Sequence, residues 1–170
     1  VMKAPADGYT VLIATTAFVI NPTLYKKVNY EPLRDFSAVS LGISFPYLLV
    51  VHPSLPAKNV RELIGLAKTR PGELNYGSSG IGSLPHLAGE WFALSAGVRL
   101  SHVPYKGSGA ATIDVMSGEV PVYFMNVLQS LPFIKQGRLR ALGVTGLARV
   151  AIAKDIPTVA EGGLKGFDMA

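Results

Sequence analysis

The sequence has no cysteine, which excludes a disulfide framework and a thiolate metal site and is compatible with any compartment. Histidine is almost as scarce. His52, His86 and His102 are the only three, and none is paired at metal-ligand spacing, so no metal is expected. Charged residues make up only 16% of the chain. Basic residues are scattered singly, with Lys26-Lys27 the one adjacent pair, so the sequence does not read as a nucleic-acid binder. Long apolar runs are also missing. The nearest, VLIATTAFVI at 11–20, is too short to cross a bilayer and carries two threonines. No leader pattern, internal repeat or low-complexity segment is visible.

What remains is a globular composition. Hydrophobic residues are 49% of 170, enough to bury a real core in one domain, or one domain and a piece of another. The net charge of +5 favours an anionic partner. VMKAP at the start and GLKGFDMA at the end both read as mid-protein, so the chain is expected to be a truncated one.

From residue 47 onward strand and helix patterns alternate. Tyr47 to His52 is a continuous apolar run, the signature of a strand covered on both faces. Val60, Leu63, Ile64 and Ala67 then recur at helical spacing, with Asn59 and Glu62 as a start signal and Pro71-Gly72 as a stop. Further strands are expected at 74–76, 100–105, 120–125 and 139–145. Helices are expected from 84 to Gly97, over 109–117 and over 131–136, and Thr158 with Glu161 predicts a last short one. This order predicts an α/β fold: a doubly wound, mostly parallel sheet flanked by helices. Residues 1–46 do not fit. Tyr9 to Thr15 reads as a buried strand, and Asn21 to Phe36 as turn-rich with one short helical turn. The expected division is 1–46, a fragment of a first lobe, and 47–170, a second lobe that is an α/β ligand-binding domain.

Two glycine-rich loops stand where strands hand over to helices. The first is NYGSSGIGSLPH at 75–86, with three glycines and three serines from Gly77 to Ser83. The first N–H groups of a helix have no internal partner and carry partial positive charge, glycine lets a ligand approach them, and serine adds hydroxyl donors. Ser83 is the expected N-cap, with Pro85 in the first turn. A tight capped turn with no ligand explains the same residues. The second loop, Tyr105-Lys106-Gly107-Ser108-Gly109, opens on the same edge of a parallel sheet, and the pair predicts one pocket for an acidic small molecule. Lys106 also fits a plain solvated charge, and His86 fits either a ligand-orienting or a capping role. Gly82-Ser83-Leu84 lacks the lysine of a phosphate loop. Gly77-Ser78-Ser79-Gly80-Ile81-Gly82 reverses the dinucleotide fingerprint. Gly77-Ser78-Ser79-Gly80 misses a nucleophile elbow by one position. No catalytic constellation and no cofactor are expected.

Several motifs together resemble a known family: ADGYT at 6–10, VHP at 51–53, YGSSGIGS at 76–83, HLAGE at 86–90, HVPYKG at 102–107, GRLRAL at 137–142 and PTVAE at 157–161. The chain resembles the substrate-binding receptors of tripartite tricarboxylate transporters, which have a type II periplasmic binding-protein fold. The likeness implies one lobe of that fold plus a fragment of the other. It implies a periplasmic receptor, not an enzyme, that clasps a mono-, di- or tricarboxylate between two lobes and delivers it to membrane permease subunits. It implies a solute carboxylate held by Tyr76, Gly77, Ser78, Ser79, Gly80, Gly82 and Ser83 beside His86, with Tyr105, Lys106 and Gly107 from the second loop. Thr15, Thr16 and Ala17 are then expected to face the cleft from the other lobe, and Met125 and Asn126 to lie near the distal end of the solute. The chain departs from the family at Pro121 and Met125, where aspartate is usual. Methionine cannot accept a ligand ammonium, so a purely acidic or aromatic acid solute is expected over an amino acid. The incomplete lobe predicts a homo-oligomer built through residues 9–45. Two other readings stand beside this one: an enzyme of similar α/β class acting on carboxylates, and a truncated chain that keeps the fold without capturing a solute.

Overall fold

The computed structural model describes residues 1–169. Its centre is a five-stranded sheet in the order β3-β2-β4-β1-β5. The strands are β1 (Tyr47–Val51), β2 (Asn75–Ser78), β3 (Ser101–Pro104), β4 (Val122–Asn126) and β5 (Arg140–Val144). β2 runs parallel to β3 and β4, whereas β1 runs antiparallel to both of its neighbours, β4 and β5. The expectation of a mostly parallel sheet therefore holds for four strands, and β1 is the reversed one. An apolar run such as YLLVV carries no sign of its direction.

β1 shows why such a run means burial on both sides. Leu49 and Val51 enter one core cluster with Val60, Leu63 and Ala67 of α3 (Val60–Thr69) and Ala88 and Phe92 of α4 (Leu84–Ala96). Leu48 and Val50 enter the other with Ala111 and Val115 of α5 (Ser108–Ser117) and Val127 of α6 (Val127–Lys135). Alternate side chains of a strand point to opposite faces, so one strand serves both cores. Two helices cover each face, as a doubly wound sheet requires.

The local signals explain the helix ends. Asn59 Oδ1 accepts the Glu62 N–H at 2.9 Å and starts α3. Gly97 (φ +61°) closes α4 in the left-handed conformation. Thr158 and Glu161 do form the reciprocal capping box, at 2.6 and 3.0 Å, but the segment stays a series of turns and not the expected helix. Gly162-Gly163 follows at once, with Gly163 at φ +120°, outside the helical region.

Residues 1–46 contain no buried residue. The strand expected over Tyr9–Thr15 is not formed: Tyr9 is 93% and Ile13 95% exposed. A strand needs a neighbour to take its N–H and C=O groups, and no strand of this sheet lies beside it. The turn-rich reading of 21–36 holds from residue 25 onward and is corrected at 21–24, because a helix, α1 (Thr16–Leu24), runs through Pro22. Proline has no N–H to offer the Phe18 carbonyl four residues back. That carbonyl accepts the Tyr30 hydroxyl instead, at 2.9 Å, and the Tyr30 ring stacks on Phe18 at 4.7 Å. A single turn, Pro32–Asp35, follows.

Candidate functional site

The strand order brings the chemistry together. β2 lies between β3 and β4, all three parallel, so Ser78, Pro104 and Asn126 end at one edge. Each strand hands over to a helix there, and α4, α5 and α6 therefore start at the same edge. Tyr47 begins the reversed β1 at this edge too, directly opposite Asn126. Between these ends is a hollow of about 280 Å³ lined by Tyr47, Ser79, Pro85, Ser108, Tyr123, Asn126 and Gln129.

The first turns of three helices border this hollow: Pro85 belongs to α4, Ser108 to α5, and Asn126 is the N-cap of α6 with its Oδ1 on the Leu128 N–H at 2.9 Å. Each helix start contributes partial positive charge, and no lining side chain is acidic. Burial pushes the Tyr123 and Tyr47 hydroxyls above their usual range, with the neighbouring Tyr47 a further cause at Tyr123. Both phenols stay protonated and able to donate. The hollow thus offers neutral donors and helix dipoles, a setting for a carboxylate.

The 78–83 loop is held by its own residues. Ser78 Oγ accepts the Gly80 N–H at 3.1 Å, Ser83 Oγ donates to the Gly80 carbonyl at 2.6 Å, and the Gly82 N–H donates to His86 Nδ1 at 3.2 Å. The Tyr105 N–H donates to the Ser78 carbonyl at 3.0 Å, which ties the two glycine-rich loops together. Gly80 sits at φ +131° and Gly82 at φ +80°, and a Cβ on Gly82 would fall 3.0 Å from Asn21 Oδ1 of α1.

The residues expected from sequence thus fall into five groups. Ser79 and Asn126 line the hollow; Gly80, Ser83, His86, Tyr105, Lys106 and Gly107 belong to its supporting loops and helix starts. Tyr76, Gly77, Ser78 and Gly82 are buried, and Tyr76 points its hydroxyl at Glu90 (2.6 Å), away from the hollow's lining. Met125 is corrected: it is fully buried opposite Leu48, in the core beneath α5 and α6, and has no surface on the hollow. Thr15 and Thr16 are exposed and Ala17 half-buried at the start of α1, and none lines the hollow; the contacts of α1 with the loop fall near its far end, at Asn21 and Leu24. Sequence reading missed Tyr47, Tyr123 and Gln129. Tyr47 lies 79 positions before its partner Asn126, and only the reversed pairing of β1 puts it on this edge. Gln129 follows from Asn126 as N-cap, three positions on.

Comparison with known proteins agrees with this geometry. A family profile described as "Tripartite tricarboxylate transporter family receptor" matches residues 1–170. A UPF0065 protein from the tcbD-tcbE intergenic region of Pseudomonas sp. strain P51 is 39% identical over 99% of this chain and 51% of its own length. Protein BugT of Bordetella pertussis is 35% identical over 97% of this chain and 51% of its own. Among solved structures, an R. palustris protein with adipate has a TM-score of 0.90 and 39% identity over 98% of this chain and 56% of its own. MatC from Rhodopseudomonas palustris with bound malate has a TM-score of 0.80 and 27% identity over 90% of this chain and 51% of its own. The chain spans about half the length of the curated relatives it matches. It belongs to the receptor family of the tripartite tricarboxylate transporters.

Proposed function

We propose that this chain is the carboxylate-holding part of a periplasmic solute receptor, which captures a small organic acid and passes it to the permease subunits of a tripartite tricarboxylate-type transporter. The observation that carries this is the hollow itself, where three helix starts converge with Ser79, Ser108, Tyr47 and Tyr123 and no acidic side chain lines the wall. The adipate and malate bound by the two solved relatives support a dicarboxylate as the solute class. An amino acid would find no carboxylate for its ammonium group on this wall, which keeps the preference for purely acidic solutes although Met125 does not reach it. The receptor does no chemistry on its solute. We divide the chain at residue 46: residues 47–170 form the second, solute-holding lobe and 1–46 belong to the first lobe, the opposite jaw.

The test is calorimetric titration of the chain with adipate, malate, glucose and arginine at low and high salt. The expected result is binding of the dicarboxylates alone, weakened by salt because an anion meets exposed positive ends. Gly80→Val and Gly82→Val, each placing a branched residue at positive φ, should abolish that binding while leaving the circular dichroism of the lobe unchanged. Tighter binding of glucose or arginine than of either dicarboxylate would overturn the reading.

A further inference from the structure

Behind the loop lies a stack of three rings that the hollow does not use. The Tyr76 ring of β2 lies on His102 of β3, with centroids 4.9 Å apart, and His102 lies on His86 of α4 at 4.2 Å. Each ring is tied. Tyr76 donates to Glu90 Oε1 at 2.6 Å, His102 Nε2 lies 2.6 Å from Ser78 Oγ, and His86 Nδ1 accepts the Gly82 N–H. An accepting nitrogen carries no proton, so the bond from Gly82 requires a bare His86 Nδ1. The Ser78 hydroxyl has one proton to give. The Gly80 carbonyl already receives the Ser83 hydroxyl at 2.6 Å and is 3.1 Å from Ser78 Oγ, so the shorter contact assigns the Ser78 proton to His102 Nε2. Burial and then the facing His86 disfavour a proton on His102, and Glu90 opposes them weakly. The titratable groups facing the imidazole pair are Tyr76 from β2, Glu90 from α4 and each other.

We propose that His86 and His102 are positioning residues for the solute loop: stacked, and accepting at His86 Nδ1 and His102 Nε2, they fix the backbone from Ser78 to Ser83, and a proton on His86 Nδ1 releases it. A protonated Nδ1 is a donor facing another donor, the Gly82 N–H, so that bond is lost on titration and not merely weakened. Two stacked imidazolium rings would also repel across 4.2 Å. The consequence for solute affinity rests on the receptor reading above. The state of the loop does not.

The test follows the chain by NMR between pH 8 and pH 5, reading the ring nitrogens of His86 and His102 and the hydrogen exchange of the Gly82 amide. The expected result is an unprotonated His86 Nδ1 at pH 8 and a Gly82 amide whose protection falls in step with His86 protonation. His86→Ala should speed Gly82 exchange about tenfold at pH 8, the worth of one hydrogen bond. His86→Asn, whose Oδ1 stands where Nδ1 was and cannot titrate, should restore protection and remove its pH dependence. A Gly82 amide that ignores both His86 titration and His86→Ala overturns the proposal, as does an Nδ1-protonated His86 at pH 8. Adipate titration of the same samples separates the two readings. No adipate binding at pH 8 counts against the receptor reading alone. Binding that stays constant to pH 5 while the loop loosens overturns the link between brace and solute.

Discussion

At the scale of single residues the site turns on protonation states. Burial holds the His102 ring below its usual range, so above about pH 6.5 the ring is neutral in both folded and unfolded chain and contributes nothing to pH dependence. As pH falls through that value the unfolded chain takes up a proton first, and stability declines until the folded ring also protonates. The Tyr105 hydroxyl shows the opposite sign. Burial, then the hydrogen bond to Asp114, pushes it up to about 12, so its contribution is complete below about pH 10 and is lost between there and its folded value. Urea midpoints measured from pH 4 to pH 11 should therefore decline on both sides of a neutral plateau. His102→Gln should flatten the acid side and Tyr105→Phe the alkaline side. An acid limb that survives His102→Gln unchanged would refute the assignment. Which residues bound the hollow was only partly legible in the sequence. Ser79 and Ser108 could be found because a glycine-serine stretch at a helix start is a local signal. Tyr123 and Met125 could not be told apart in that way: they share one face of β4 and both are buried, yet only Tyr123 borders the hollow.

At the scale of elements, local rules were the reliable ones. Asn59 with Glu62, Gly97 and Gly118 act within one turn of the chain, and each stands at the helix end its type predicts. Apart from Thr158 with Glu161, where Gly162-Gly163 cancels a local start signal, the errors came where a partner far along the chain decides the outcome. Tyr9 to Thr15 has the composition of a strand and no neighbour to make it one. Pro22 reads as a breaker, yet α1 passes through it because the Tyr30 hydroxyl replaces the missing donor. That substitution is testable by a double-mutant cycle. Tyr30→Phe should cost about 1 kcal/mol, the net worth of one hydrogen bond, and reduce the helical signal. In a Pro22→Ala background residue 22 regains its own N–H toward the Phe18 carbonyl, and the same change should cost little. Equal costs in both backgrounds would show that the phenol owes its effect to ring packing alone.

At the scale of the whole molecule, apolar surface is unevenly spread. Tyr9, Val11, Ile13, Val39, Leu41 and Ile43 are all exposed, and all lie outside the two core clusters. Exposed apolar side chains in this number favour association, so the isolated chain is expected to form dimers or larger species through residues 9–45. Light scattering at micromolar concentration decides it, and Ile13→Lys with Leu41→Lys should shift the population toward monomer. A monodisperse monomer of the unmodified chain would show that this surface is harmless. The reversed strand has another kind of consequence, one of order in time. Of the five strands of this sheet β1 is made first, yet its partners, β4 and β5, lie about seventy residues or more further along the chain. Until they arrive, YLLVV waits as an unpaired apolar segment with nothing in the nascent lobe to pair it. β2 and β3, close in sequence and parallel, can meet earlier. The middle of the sheet is thus filled late, and Tyr47 joins the wall of the hollow only in that closing step. A chaperone that holds apolar strands would find its target in the same five residues, four of which later become fully buried.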